Sequence, residues 1–230
     1  MTPAANPPYF RAIALAITIS PPGLIRRAQE SLHAAIVYSA CRAGDDDPPM
    51  KIPAKETALV VIDMQAILFD PPPPEADEVV ARINGLASRA RAAGVPVVWV
   101  QHETAAGDLV ADTPGWRLHP GLTTEAGDLF VRKTMSDAFL RTSLHDALAE
   151  RGVRHVTVCG YSSEFCVDSS VRGAASRGYA VTLAADAHTS HDKPHATGLQ
   201  IRTHENETLR NISSFHVVID AVPAAQIVFA

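Results

Sequence analysis

From Met50 onward, short apolar runs alternate with amphipathic segments, and this alternation limits the folds open to the chain. The run "ALVVID" (58–63) is apolar up to its last residue, as expected of a strand buried on both faces. The segment 75–94 instead has apolar residues at helical spacing, acids in its first turn and a terminal Gly94. Strands that alternate with such helices predict a parallel sheet covered by helices on both faces.

The predicted fold is a three-layer αβα, mostly parallel, Rossmann-like sheet of about six strands. The same apolar patterning predicts strands at 58–63, 95–101, 128–133, 155–160, 179–186 and 215–220. Helical spacing predicts helices at 75–94, 143–152, 163–178 and about 195–210. The chain contains no G-x-G-x-x-G segment and no phosphate-binding loop motif, so no sequence motif indicates a nucleotide-binding site.

Residues 1–49 differ in composition from the rest of the chain. They hold seven of the 17 prolines and end in "GDDDPP". We interpret them as a poorly ordered extension that need not be native, and residues 50–230 as the functional domain. The alternative is a short helix at 24–40 that docks on the domain or on a partner.

The net charge and the cysteine content of the chain make some functions and cellular locations less probable than others. A net charge of −5 and a pI near 6.0 give no basic surface for nucleic acid. No apolar run approaches the roughly 20 residues of a membrane span, and no small-x-small cleavage site closely follows the run 12–20. Three scattered cysteines form no disulfide framework, which favours a reducing compartment. A cytoplasmic protein with no membrane or nucleic-acid partner is predicted.

Reactive side chains gather where the predicted strands end. Asp63 and Gln65 follow the first strand, His102 the second and Lys133 the third, and Cys166 comes about one turn into the helix after the fourth. Because the carboxyl ends of parallel strands share one edge of the sheet, ligands bind at that edge. We therefore expect an acid, a lysine and a thiol to meet there.

These three residue types suit nucleophilic catalysis. In "VTVCGYSSEFCVDSS" (156–170), Cys166 falls near a helix N-terminus, where unpaired backbone N–H groups favour a thiolate. A nearby Lys133 would lower the thiol pKa further, and Asp63 could accept the thiol proton and return it to a leaving group. The pattern predicts a nucleophilic Cys166 with a lowered pKa. The alternative is that Cys166 is only a small core side chain.

Three segments resemble the signatures of the isochorismatase-like cysteine hydrolase superfamily. They are "ALVVIDMQ", "FVRKTMSDAF" and "VCGYSSEFCVDSS", and they stand in that family's order and spacing. The resemblance covers about residue 56 to the end. It implies a catalytic triad of Asp63, Lys133 and Cys166 without a cofactor. It also implies hydrolysis of a C–N bond in a small amide, carbamoyl, ureido or lactam compound through a thioester.

The resemblance has further implications for the thiol's surroundings and for assembly. It implies a cis peptide between Tyr161 and Ser162, and an oxyanion hole formed by backbone amides between Ser162 and Cys166. The family commonly has a small aliphatic residue where Tyr161 stands, so the shape of the pocket and the substrate stay open. It also implies a homodimer or a homotetramer.

Two other functions remain possible on the same fold. Isochorismatases cleave a vinyl ether without a cysteine, so Asp63 could act alone as an acid. A non-catalytic binding protein is the second alternative. The presence of Cys166 argues against the first, and the complete triad argues against the second.

Four side chains near the expected edge are predicted to bind substrate. Gln65 stands beside the acid and could hold either the acid or the substrate. His102 follows a strand at that edge, and Trp116 and Phe139 are predicted to form pocket walls.

No metal site is predicted. His188, His191 and His195 have a spacing that suits ligands on a helix, but Pro194 interrupts it and no carboxylate partner is evident. The nicotinamidase branch of the same superfamily has an Asp-x-His and a further His after the first strand. The sequence at 69–80 lacks an equivalent.

Overall fold

Eight β-strands occur in the structure, a computed structural model that describes residues 49–230. In chain order they are β1 (Met50–Ile52), β2 (Thr57–Ile62), β3 (Val97–His102), β4 (Leu129–Lys133), β5 (His155–Tyr161), β6 (Ala180–Thr189), β7 (Ile219–Val222) and β8 (Ile227–Phe229). Six of them form one parallel sheet in the order β4-β3-β2-β5-β6-β7, and β1 pairs with β8 in a small second sheet. The predicted parallel sheet of about six strands is confirmed.

Within residues 49–230, four α-helices connect these strands and cover the two faces of the central sheet. They are α1 (Ala76–Ala92), α2 (Leu144–Ala149), α3 (Asp168–Ser176) and α4 (Gly198–Arg210). A π-helical turn, Ser163–Val167, precedes α3 and contains the cysteine of interest; we call it the Cys166 turn. The predicted single helix at 163–178 is therefore two elements with different hydrogen-bond spacing.

Strand β2 shows why its sequence has no polar alternation. Ala58, Val60 and Ile62 pack into one apolar cluster with residues of α2, α3 and α4. Leu59 and Val61 point the other way and pack with residues of α1. Both faces of the strand are therefore buried, and apolar side chains are required at every position.

The chain reverses its direction across the sheet between β2 and β5. From β2 the strands progress outward to β3 and β4, whereas from β5 they progress outward to β6 and β7. Loops leaving the carboxyl ends of β2 and β5 therefore diverge and leave a crevice between them. Asp63 directly follows β2, and the Cys166 turn follows β5.

One predicted strand position is wrong, and one strand pair has no counterpart in the prediction. The last strand of the central sheet is Ile219–Val222 and not 215–220, because Val181 of β6 pairs with Ile219 and the preceding residues form turns. The β1–β8 pair was not predicted. Its strands have three residues each and lie 177 positions apart (Met50 pairs with Ile227), so no local pattern marks them.

The predicted extension 1–49 and the alternative helix 24–40 lie outside the described residues, apart from Pro49. Among residues 49–230, no helix combines the length and the apolar composition needed to cross a membrane.

The close approach of β5 to β2 depends on Gly160. Its φ is +120°, and an added Cβ would overlap the backbone of Ile62. We expect Gly160→Ala to lower the free energy of unfolding by more than about 3 kcal/mol, because it adds steric overlap to backbone strain. Urea unfolding measures this change. Gly152→Ala is the matched control: φ there is +69° with no atom near the added Cβ, so a loss of about 1 kcal/mol is expected. Equal losses would contradict the steric explanation.

Candidate active site

The crevice between β2 and β5 brings together side chains from four strand ends. Asp63 follows β2 with a φ of 47°, and its backbone N–H donates to Val100 O at 2.9 Å. His102 and Lys133 end β3 and β4, and Cys166 lies in the turn after β5. A carboxylate oxygen of Asp63, a ring nitrogen of His102 and Cys166 Sγ all lie within 4.8 Å of one another.

Lys133 is the centre of this group. Its Nζ lies 2.6 Å from Asp63 Oδ2 and 3.2 Å from His102 Nδ1, and it donates to Cys166 Sγ at 3.1 Å. It also donates to Met135 O at 3.1 Å. The residue is only 2% exposed, so these contacts replace the hydration that the ammonium group loses on burial.

Asp63, His102 and Cys166 together resemble a set of metal ligands, but the Lys133 ammonium already lies among them. It contacts all three at 2.6–3.2 Å, and a second cation beside it would be repelled in a poorly solvated site. Two of the three histidines with helical spacing have other partners. His188 and His191 use both ring nitrogens in hydrogen bonds within the protein and do not converge on one point.

Hydrogen bonds at the start of the turn and one bond to β6 hold the Cys166 turn. The peptide between Tyr161 and Ser162 is cis, and Ser162 O accepts from the backbone N–H groups of Phe165 and Val167. Ser163 Oγ lies 2.8 Å from Nδ1 of His188 in β6. These bonds fix the turn against the end of β6, and the sulfur of the turn therefore stays at the Lys133 ammonium.

The buried His188 continues this network into α4. Its Nε2 lies 2.9 Å from Asn206 Oδ1, and Asn206 Nδ2 donates to Ala185 O. Burial lowers the pKa of His188 to about 4, so the ring is neutral near pH 7. No local sequence signal identified this role. The sequence indicates only a candidate metal ligand at this position, because the contacts of His188 come from residues 18 and 25 positions away.

The predicted lowered pKa of the Cys166 thiol is wrong. Burial raises its pKa to about 12, and the negative charge of Asp63 raises it as well, while Lys133 acts in the opposite direction. The turn holds only five residues before α3. Burial of the sulfur, together with the nearby Asp63 carboxylate, outweighs the effect of Lys133. In the resting site the sulfur is therefore a thiol and not a preformed thiolate.

Asp63 has the properties of an acceptor for that proton. Burial raises the pKa of its carboxyl above the ordinary range, although the Lys133 charge acts to lower it. Its Oδ2 contacts Lys133, while the buried Oδ1 accepts no hydrogen bond from the residues that the structure describes. A carboxyl with a raised pKa and a free oxygen can exchange a proton with a nearby thiol.

Gln65 supports the site in a way that the sequence did not suggest. Its Nε2 donates to the carbonyls of His102 and Trp116, and its Oε1 accepts from the His102 N–H. The side chain thus connects the end of β3 to the segment containing Trp116, and none of these hydrogen bonds involves Asp63. A direct contact of Gln65 with substrate stays a prediction.

The two predicted aromatic walls lie in different surroundings. Trp116 is buried except for 8% of its surface, with the Arg132 guanidinium 4.8 Å from its ring centre. Its indole N–H has no hydrogen-bond acceptor among the described residues. Phe139 packs against Tyr179 within the apolar cluster that Cys166 also contacts. Their contacts with substrate, like that of His102, stay predictions.

Tyr161 is part of an aromatic group beside the cis peptide. Its hydroxyl lies 2.8 Å from His191 Nδ1, and its ring lies 5.8 Å from that of Phe69. His191 in turn contacts Pro71 O through Nε2. The tyrosine therefore lies on the side of the site next to Phe69 and is held there by a partly buried hydrogen bond to His191.

Comparison with known proteins gives a family match over most of the described chain. The model of the Isochorismatase domain matches residues 57–214. A streptothricin hydrolase of Streptomyces noursei is 42% identical over 145 residues, which are 62% of this chain and 58% of that protein. A second one is covered over 51% of its length, so the chain spans little more than half of these relatives.

A further relative and a solved structure agree with this match. The ureidoacrylate amidohydrolase RutB of Pseudomonas syringae is 29% identical over 181 residues, 60% of this chain and 73% of that protein. The crystal structure of an isochorismatase from Pseudomonas putida superposes with a TM-score of 0.68 at 30% identity. It covers 80% of this chain and 94% of the solved one.

The raised thiol pKa predicts a particular pH dependence of alkylation. We expect the rate of Cys166 labelling by iodoacetamide to keep rising from pH 6 to at least pH 9, because the reactive thiolate is the minor form throughout. Peptide mass spectrometry gives the rate, with the fully buried Cys159 as internal control. A plateau already reached near pH 7 would show a preformed thiolate and contradict this assignment.

The buried histidines predict a loss of stability in mild acid. His188 and His155 each have a pKa lowered to about 4 by burial, below the ordinary value of 6.5. The unfolded chain therefore binds more protons between these values, and the free energy of unfolding falls as pH decreases from about 6.5 toward 4. For His188 the loss is about 3 kcal/mol at most. Urea unfolding of His188→Gln should show a shallower slope in this window than the wild type; an unchanged slope would rule out the His188 contribution.

Proposed function

Because the chain belongs to the isochorismatase family, we propose that it is an amidohydrolase that cleaves a C–N bond of a small molecule through a thioester on Cys166. The observation that carries the proposal is the buried Lys133 ammonium, in contact with Asp63 at 2.6 Å and with the Cys166 sulfur at 3.1 Å. This arrangement places an acid–base group, a cation and a nucleophile within reach of one carbonyl carbon.

In the first step, Asp63 removes the proton of the Cys166 thiol as the sulfur attacks the substrate carbonyl. An S–C bond forms, and the carbonyl oxygen becomes an oxyanion. Lys133 stabilises the negative charge that the sulfur acquires during this transfer, which compensates for the raised thiol pKa. Backbone amides between Ser162 and Cys166 are proposed to hold the oxyanion.

In the second step, the tetrahedral intermediate collapses and the C–N bond breaks. Asp63 returns its proton to the departing nitrogen, which leaves as an amine or as ammonia. Water then attacks the thioester and gives its proton to Asp63, and the C–S bond breaks as the sulfur regains a proton. Each step transfers one proton, and Asp63 is the acid–base group throughout. The proposed cycle therefore requires no cofactor.

The substrate class follows from the relatives and from the chemistry. Hydrolases of streptothricin and of ureidoacrylate are among the similar proteins, which supports an amide, carbamoyl, ureido or lactam group as the target. The substrate is proposed to lie between His102, Trp116 and Phe139, with Tyr161 shortening the pocket on the side of Phe69. Assembly into a homodimer or a homotetramer is part of the same proposal.

The test combines a substrate panel with variants of the three central residues. Streptothricin, ureidoacrylate, an N-carbamoyl amino acid and maleamate would be incubated with the protein, and turnover followed by product mass or ammonia release. We expect Cys166→Ala, Asp63→Asn and Lys133→Met each to reduce kcat/KM by at least about 10³-fold. Cys159→Ala removes the other described thiol and should retain most of the activity.

The covalent intermediate supplies a separate criterion. Rapid acid quenching of a turning-over sample should give a Cys166 peptide whose mass is increased by the acyl group. Activity that persists in Cys166→Ala but disappears in Asp63→Asn would overturn the thioester route in favour of direct attack by a water molecule that Asp63 activates. Turnover of none of the panel compounds would contradict the substrate class.

A further inference from the structure

An open groove of about 640 Å³ lies beside the Cys166 turn but contains none of the three central residues. One wall of the groove is formed by the turn, through Glu164 and Phe165. The other wall is formed by α4, through Gln200, Ile201, His204 and Glu205. The edge between the walls consists of Lys193, His195 and Ala196. Phe165 is 54% exposed, although its neighbour Cys166 is directed at Lys133. The groove is therefore on the outer side of the turn.

Glu205 is the unusual residue of this groove. It is only 8% exposed, yet within residues 49–230 no hydrogen bond or ion pair reaches its carboxylate. Its oxygens are not among the fully buried unpaired atoms, so the carboxylate reaches the groove and is open to a ligand. Glu164 is partly paired: Ser190 Oγ donates to its Oε1 at 2.8 Å and Lys193 Nζ lies 3.2 Å from the same oxygen, while its buried Oε2 has no partner among the described residues.

The charges around Glu205 leave its carboxyl without a dedicated cation. Burial raises its pKa, and the nearby Asp168 and Glu164 raise it further. His204 and Arg172 act in the opposite direction, but Arg172 donates to Asp168 at 2.7 Å and is engaged there. A cation bound in the groove would remove both the burial penalty and the repulsion between the acids.

The apolar wall already accommodates an ammonium group. Lys193 Nζ lies 5.4 Å from the centre of the Phe165 ring, a distance at which the ring face attracts a cation. Ile201 adds an aliphatic surface next to Glu205 on α4. The groove thus combines a half-exposed aromatic ring, an aliphatic floor and an unpaired acid.

We propose that this groove is a second binding site, for a small organic cation that has a primary ammonium or guanidinium group on an apolar body. The cationic group pairs with Glu205, and the apolar body packs on Phe165 and Ile201. The site is distinct from the Cys166 crevice, and the proposal does not depend on the amidohydrolase activity.

The probe is 4-phenylbutylamine, compared with 4-phenylbutan-1-ol, which has the same apolar body and no charge. Calorimetry of the full chain should give an affinity for the amine at least about 10-fold higher than for the alcohol. Glu205→Gln should weaken the amine about 10-fold and leave the alcohol unchanged. Glu207→Gln, on the same helix but outside the groove, is the matched control and should bind both as the wild type does.

Two further variants locate the site. Ala196→Trp fills the groove and should abolish binding of both probes. If thermal unfolding shows that Glu205→Gln is not folded, the Ala196→Trp result decides whether the probes bind in this groove. Cys166→Ser should leave amine binding intact. Loss of amine binding in Cys166→Ser, or equal amine affinity in the wild type and folded Glu205→Gln, would overturn the proposal.

A second copy of the chain is the other occupant that the groove could have. Sedimentation of the wild type and of Ala196→Trp distinguishes this case. An unchanged oligomeric state, together with loss of amine binding, supports the small cation. A self-associated wild type that becomes monomeric in Ala196→Trp would overturn the proposal in favour of a subunit interface.

Discussion

The burial of one ammonium group is the constraint on which the site depends. Lys133 is almost fully removed from water, and it is stable there because Asp63, Cys166, His102 and the Met135 carbonyl surround it. Removal of any one of these partners leaves a charge with less compensation, at a cost of several kcal/mol in similar buried pairs. The chemistry of the site and the stability of the crevice are therefore coupled.

The order of the strands determines which groups can reach this ammonium. β2 and β5 are neighbours although about a hundred residues separate them, and the crevice opens between their carboxyl ends. Gly160 allows the two backbones to approach, and the His188 network holds the Cys166 turn at the end of β6. Parts of the chain that are distant in sequence thus position one sulfur atom.

Much of the fold could be predicted from the sequence, because strands buried on both faces and amphipathic helices each have a characteristic local spacing of apolar residues. The run 58–63 and the helix 75–94 were found within one or two residues of their observed bounds. The strand Ile219–Val222 lies a few residues from its predicted position, because a turn and a bend before it contain the apolar side chains of Phe215 and Val217. The β1–β8 pair had no local signal at all.

The sequence by itself determined the parallel α/β architecture and the set of strand ends that carries Asp63, Lys133 and Cys166. These follow from the spacing of apolar residues, which is a local property. Only the tertiary structure decided the direction of the thiol pKa and the supporting role of Gln65. Both depend on burial and on distances between residues far apart in sequence. Side chains that are distant in sequence desolvate the thiol and surround Gln65, and no local sequence pattern predicts these contacts.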